Sequence, residues 1–75
     1  MTTLDRLPIG TSARVRAVLR VSSTTLRLME MGLVPGCAVQ VRKRAPFGGP
    51  IELEMTGFRL SLRPGEAEVF EVEAP

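Results

Sequence analysis

The sequence predicts a mainly β domain: a small five-stranded antiparallel barrel with one short helix inserted between its first and second strands. Three observations carry that prediction. Five short runs alternate apolar with polar side chains, the period of a half-buried strand. One stretch, residues 22–31, changes to helical spacing. Turns bearing Gly and Pro separate the runs. With 75 residues, the chain 1–75 is read as one domain with a thin core, because a chain this short buries only roughly 60% of its unfolded surface. Closing the sheet into a barrel removes the exposed edges that an open sheet of this size leaves.

Leu4, Leu7 and Ile9 form an apolar cluster ahead of Gly10. Pro8 discourages a helix from running through them, so residues 3–8 read as a cover over one end of the core. Residues 12–19 place Ala13, Val15, Ala17 and Leu19 on one face and Arg14, Arg16 and Val18 on the other. The inward side chains are small, so a neighbour packs close to this strand. Ser22 and Ser23 are N-cap candidates for the helix, but neither has Glu or Gln three residues on, so no capping box is expected. Leu26, Met29 and Leu33 share one stripe, flanked by Leu28. Two to three turns are too few for a stable isolated helix, and packing must hold it. Met29 and Met31 read as flexible core filler rather than metal ligands.

The helix stops within Leu28-Met29-Glu30-Met31-Gly32-Leu33-Val34-Pro35-Gly36. Gly32 suits the left-handed residue that ends a helix, and Leu33 folds back on the last turn. Pro35-Gly36 fits the centre of a type II turn. Residues 37–44 alternate again, with Val39 and Val41 inward. Residues 45–50 hold two prolines and two glycines and form a loop. Phe47 within it reads first as a cap on the barrel end; the alternative is an anchor for a partner. Ile51, Leu53 and Met55 point inward, as do Phe58, Leu60 and Leu62 after a tight turn at Thr56-Gly57. Glu52 or Glu54 can face Arg59 across this hairpin. A turn at residues 63–67 leads to a last strand with Phe70 and Val72 inward, ending before Ala74-Pro75.

Composition excludes much chemistry. The absence of histidine removes the commonest general base and metal ligand. No nucleophile motif, P-loop or dinucleotide fingerprint is present, so the chain reads as non-enzymatic, with no required cofactor. No apolar run approaches membrane-spanning length, and the N-terminus lacks a secretory signal; a cytoplasmic protein without membrane insertion is expected. Residues 1–44 carry eight basic and two acidic side chains, a balance of +6, whereas residues 45–75 carry −4. Basic and acidic strands pairing across the sheet explain this most simply; a partner surface is the alternative. Cys37 shares the parity of Val39 and Val41 and reads as a small buried side chain. Its alternative role is as a weak ligand for a soft divalent ion, helped by a nearby carboxylate or shared across a dimer. Nucleic-acid binding is disfavoured, because no Trp or Tyr is available for base stacking.

The whole pattern resembles the FeoA family, the small ferrous iron transport protein A. The matching residues are Leu4 and Leu7 before Gly10, the run from Arg27 through Gly36, Gly49-Pro50-Ile51, and Leu60-Ser61-Leu62-Arg63 with Glu66-Ala67 and Phe70 and Val72. Cys37 departs from the small polar residue expected after the glycine. The resemblance implies an SH3-like barrel, a cytoplasmic location and a regulatory role in bacterial ferrous iron uptake. It further implies action on the cytosolic part of FeoB, the GTP-hydrolysing membrane transporter, and leaves a homodimer open. The runner-up is a small SH3-like regulator that binds a divalent metal ion or nucleic acid outside iron transport. Partner-binding residues are expected on exposed turns and the outer helix face: Arg27, Glu30, Pro35 and Phe47.

Overall fold

The computed structural model describes residues 1–74. Its strands are β1 (Thr2–Thr3), β2 (Ser12–Val18), β3 (Ala38–Arg44), β4 (Ile51–Met55), β5 (Phe58–Leu62) and β6 (Phe70–Glu73). A 3₁₀ turn (Leu4–Arg6) follows β1, helix α1 (Ser23–Glu30) joins β2 to β3, and the four-residue α2 (Pro64–Ala67) joins β5 to β6. The strands make one antiparallel sheet in the order β1-β6-β2-β3-β4-β5.

The expected five-stranded closed barrel is therefore corrected to six strands in an open sheet. The extra strand is the β-branched pair Thr2 and Thr3, opposite Val72 and Glu71. β5 stops short of β1 because Pro64 has no N–H to extend a ladder and starts α2 instead. α2 packs on the 3₁₀ turn, so helix and turn cover the gap. Leu4 and Leu7 are buried there, as expected of a cover. The last strand ends at Glu73; Pro75 lies outside the described residues.

Strand parity holds where the ladder is regular. Ile51, Leu53 and Met55 of β4, Leu60 and Leu62 of β5, and Phe70 and Val72 of β6 all enter the core. Two bulges break parity elsewhere. In β2 the register with β6 shifts between Val15 and Ala17. One extra residue turns the strand over, so Val18 packs on the core and Leu19 is 55% exposed, the reverse of the sequence expectation. In β3 a second shift between Val41 and Lys43 sets Arg44 opposite Ile51. The Arg44 guanidinium then donates to the backbone carbonyls of Asp5 and Leu7, tying the 3₁₀ turn to the sheet.

Helix α1 does carry a capping box, contrary to the sequence expectation. The Ser22 hydroxyl accepts from the Thr25 amide at 3.2 Å, and the Thr25 hydroxyl accepts from the Ser22 amide at 2.6 Å. Threonine here takes the part usually played by Glu or Gln. With its hydroxyl satisfied locally, Thr25 is buried without an unpaired polar group. Thr25 and Leu28 thus form the buried face with Leu33 beyond it, while Leu26, expected inside, is 50% exposed. The helix ends as the glycine predicts. The Gly32 amide donates to the Met29 carbonyl and the Leu33 amide to the Leu28 carbonyl, with Gly32 at φ +109°. The Cys37 amide then donates to the Val34 carbonyl and Gly36 has φ +97°, closing the Pro35-Gly36 turn. No described helix is long and apolar enough to cross a membrane.

Candidate interaction surface

The expected site residues fall into two groups at opposite ends of β3. Seven strand residues at about 3.3 Å each separate them by roughly 20 Å.

The first group lies where α1 ends. Arg27 and Glu30 are exposed on the last helical turn, and Pro35 is exposed in the turn that follows. Among the described residues, neither Arg27 nor Glu30 takes part in an ion pair. The β4–β5 turn reaches the same end, since Met55 pairs with Phe58 and Glu54 with Gln40 at the start of β3. Phe58, expected inside, is 40% exposed. Its ring lies against Gly32, whose α-carbon would place a Cβ 3.2 Å from the ring. The glycine therefore both stops the helix and lets an aromatic ring lie over the stop. Met31 and Val34 are also exposed beside it. An apolar patch with a charged helical rim results, and three of its members, Met31, Val34 and Phe58, were missed by sequence reasoning. Alternation hides Phe58, because it continues that of Leu60 and Leu62; Met31 reads from the sequence as core filler.

The second group is Phe47 alone, at the tip of the β3–β4 hairpin. It is fully exposed and caps nothing. Its φ of +59° and the +74° of Gly48 give the tip two successive left-handed residues, with the Gly49 amide donating to the Pro46 carbonyl. Asn, Asp or Gly ordinarily takes the first of these places.

Cys37 is half-buried, packs against the core and carries a free thiol. Among the described residues, no three Cys, Asp or Glu side chains converge to hold a metal ion. A cleft of about 340 Å³ opens between the start of α1 and α2, beside Arg20, Thr25, Arg63 and Glu66. The hydroxyls of Ser22 and Thr25 that line it are committed to the helix cap. The charge imbalance between the chain halves is partly absorbed across the sheet. Arg16 meets Glu71 at 3.0 Å and Arg42 meets Glu54 at 3.2 Å, each pair joining the basic half to the acidic half. Arg59 meets Glu52 at 3.3 Å within the β4–β5 hairpin.

The model of the FeoA domain family matches residues 2–74. The chain is 37% identical to the FeoA protein of Chlorobium tepidum and superposes on its solution structure with a TM-score of 0.89, covering 97% of this chain and 70% of that one. It is 32% identical to Stenotrophomonas maltophilia FeoA, with a TM-score of 0.83 over 97% of this chain and 91% of that one. That protein is complexed with zinc and is described as an SH3 domain protein and a candidate activating factor for bacterial ferrous iron transport. A manganese-dependent transcriptional repressor matches with a TM-score of 0.85 over 97% of this chain and 41% of its own, but at 19% identity, which is a likeness of fold alone. With a family model matched from residue 2 to residue 74 and relatives above 30% identity along nearly the whole chain, the protein belongs to the FeoA family.

Proposed function

We propose that the protein is a non-enzymatic accessory of bacterial ferrous iron uptake, working in the cytoplasm by contact with the cytosolic part of the transporter FeoB. Family membership supports the role in iron transport. The observation that carries the contact is the patch of Met31, Val34 and Phe58 around Gly32, rimmed by Arg27 and Glu30. Contiguous exposed apolar surface edged by polar groups is the usual form of a protein interface. The patch rests on a hydrogen-bonded helix stop and two tight turns, so little ordering entropy is lost on docking. Pro35 belongs to this face; Phe47 does not.

Calorimetric titration against the purified GTP-binding domain of FeoB tests this reading. The double variant Met31→Ser/Phe58→Ser is expected to weaken binding at least about tenfold, since two apolar side chains lose their burial. Unchanged affinity in this variant, with the fold intact by circular dichroism, refutes the assigned surface. A weak divalent-ion role for Cys37 is the second reading, drawn from the zinc complex of the Stenotrophomonas relative. Metal titration of Cys37→Ser decides it, and undiminished binding removes it.

A further inference from the structure

The loop at the far end of β3 has a composition unusual for a solvent-exposed turn. Residues 45–50, Ala-Pro-Phe-Gly-Gly-Pro, contain no polar side chain. The loop is nonetheless exposed apart from a half-buried Gly49, and Phe47 at its tip is in contact with nothing that shields it. Phe47 also holds a left-handed backbone at φ +59°, which a bulky residue adopts only at a cost. A solvent-facing turn would relieve that cost with glycine or asparagine. Strain at an exposed aromatic points to a use for the side chain.

Two hydrogen bonds close the loop on itself. Pro46 and Pro50 have no N–H. The Ala45 amide donates to the Pro50 carbonyl at 2.9 Å, and the Gly49 amide donates to the Pro46 carbonyl at 3.3 Å. The amides of Phe47 and Gly48 and the carbonyls of Ala45, Phe47, Gly48 and Gly49 have no partner among the described residues. These groups keep their hydrogen bonds only where water reaches them, which suits the tip to the hydrated headgroup boundary and not to the hydrocarbon interior.

The base of the loop carries the opposite character. Lys43 is exposed on β3. The bonds from Arg44 to the carbonyls of Asp5 and Leu7 bring Arg6 to the same base. Lys43 and Arg44 line a hollow at the loop base with Ala45, Pro50 and Glu52, whereas Arg63 and Glu66 line the cleft at the start of α1. Among the described residues, Arg6 and Lys43 make no ion pair. Glu52 is paired with Arg59. With Arg44, three cations stand against one uncompensated acid, Asp5.

We infer that the β3–β4 hairpin tip docks on an anionic lipid surface, with Phe47 entering the headgroup boundary and Arg6 and Lys43 meeting lipid phosphates. A protein partner is the less favoured occupant, because the apolar tip of Ala45, Pro46, Phe47 and Pro50 is small and is flanked by cations, and a bilayer interface accepts such a wedge. The inference is independent of the transporter reading. It uses the end of β3 that the proposed FeoB surface leaves free.

Co-sedimentation of the full chain with vesicles tests it. Binding is expected to mixed phosphatidylglycerol and phosphatidylcholine vesicles at low salt, with little to phosphatidylcholine alone and loss at high salt. Phe47→Gly is expected to lower partition about tenfold while raising the melting temperature, so lost binding cannot be ascribed to unfolding. Lys43→Ala is expected to lower it about fivefold. The chain has no tryptophan, so Phe47→Trp supplies a single reporter whose emission should shift to the blue on anionic vesicles. No preference for anionic vesicles, partition unchanged in Phe47→Gly, or no emission shift in Phe47→Trp would overturn the inference. Protection of the hairpin by a soluble protein but not by vesicles would assign it to a protein partner instead and equally overturn it.

Discussion

Gly32→Ala should be the most destabilising of the glycine-to-alanine changes at the helix stop, and its cost has two separable parts. The first is backbone strain. At φ +109° an L-residue lies outside its ordinary left-handed region, at a cost of roughly 1–2 kcal/mol. The second is crowding. The new methyl would sit 3.2 Å from Phe58 Cζ and 3.5 Å from Met55 Cε. Because the Phe58 ring is 40% exposed, it can swing outward, which holds this part to about 1 kcal/mol. The sum is about 2–3 kcal/mol, or a drop in Tm of roughly 10–20 °C for a domain of this size. Gly36→Ala is the control. It has φ +97° but no atom within 4 Å of its would-be Cβ, so only the strain part, about 1–2 kcal/mol, applies. Urea and thermal melts followed by circular dichroism at 222 nm would measure both. A Gly32→Ala loss equal to or below that of Gly36→Ala would refute the packing of Phe58 over the helix stop. A loss under about 0.5 kcal/mol would refute the left-handed stop as well.

Other substitutions probe other joints. Thr25→Val should cost about 1–2 kcal/mol in a urea melt, because it strips the Ser22 amide of its acceptor, whereas Thr25→Ser should be nearly neutral. Arg44→Met should cost about 2–3 kcal/mol by freeing the 3₁₀ turn from the sheet, with little dependence on salt because the acceptors are neutral carbonyls. Arg59→Ala, by contrast, should stay within about 0.5 kcal/mol, since its ion pair with Glu52 is largely solvated.

Sequence periodicity was a sound guide wherever a strand ran without interruption. Ile51, Leu53 and Met55 could be assigned to the core from alternation alone, as could Phe70 and Val72. It misled downstream of the β2 bulge, where Leu19 and Val18 exchange faces, because nothing in the local side chains marks the extra residue. The helix stop was legible because glycine and proline act through their own backbone limits. The helix face was harder. Leu26 looked like the anchor, yet Thr25 took the buried place once a local hydroxyl–amide exchange had met its hydrogen-bonding needs. Open edges were invisible for a related reason: whether β5 meets β1 depends on the α2 crossover, a long-range matter that alternation does not encode. At the candidate surface, Arg27, Glu30 and Pro35 could be anticipated from exposure on a turn. Their company with Phe58 could not, since it arises from a ring resting on a glycine distant in sequence.

The most direct test of the account is an NMR titration of the ¹⁵N-labelled protein with the cytosolic GTP-binding domain of FeoB, with and without nucleotide. The predicted shifts cluster at Arg27, Glu30, Met31, Gly32, Val34, Gly36 and Phe58, and spare Phe47, Gly48 and Gly49. Shifts confined to the β3–β4 hairpin, or none at high micromolar partner, would contradict the claim that the helix-stop face is the transporter-binding surface.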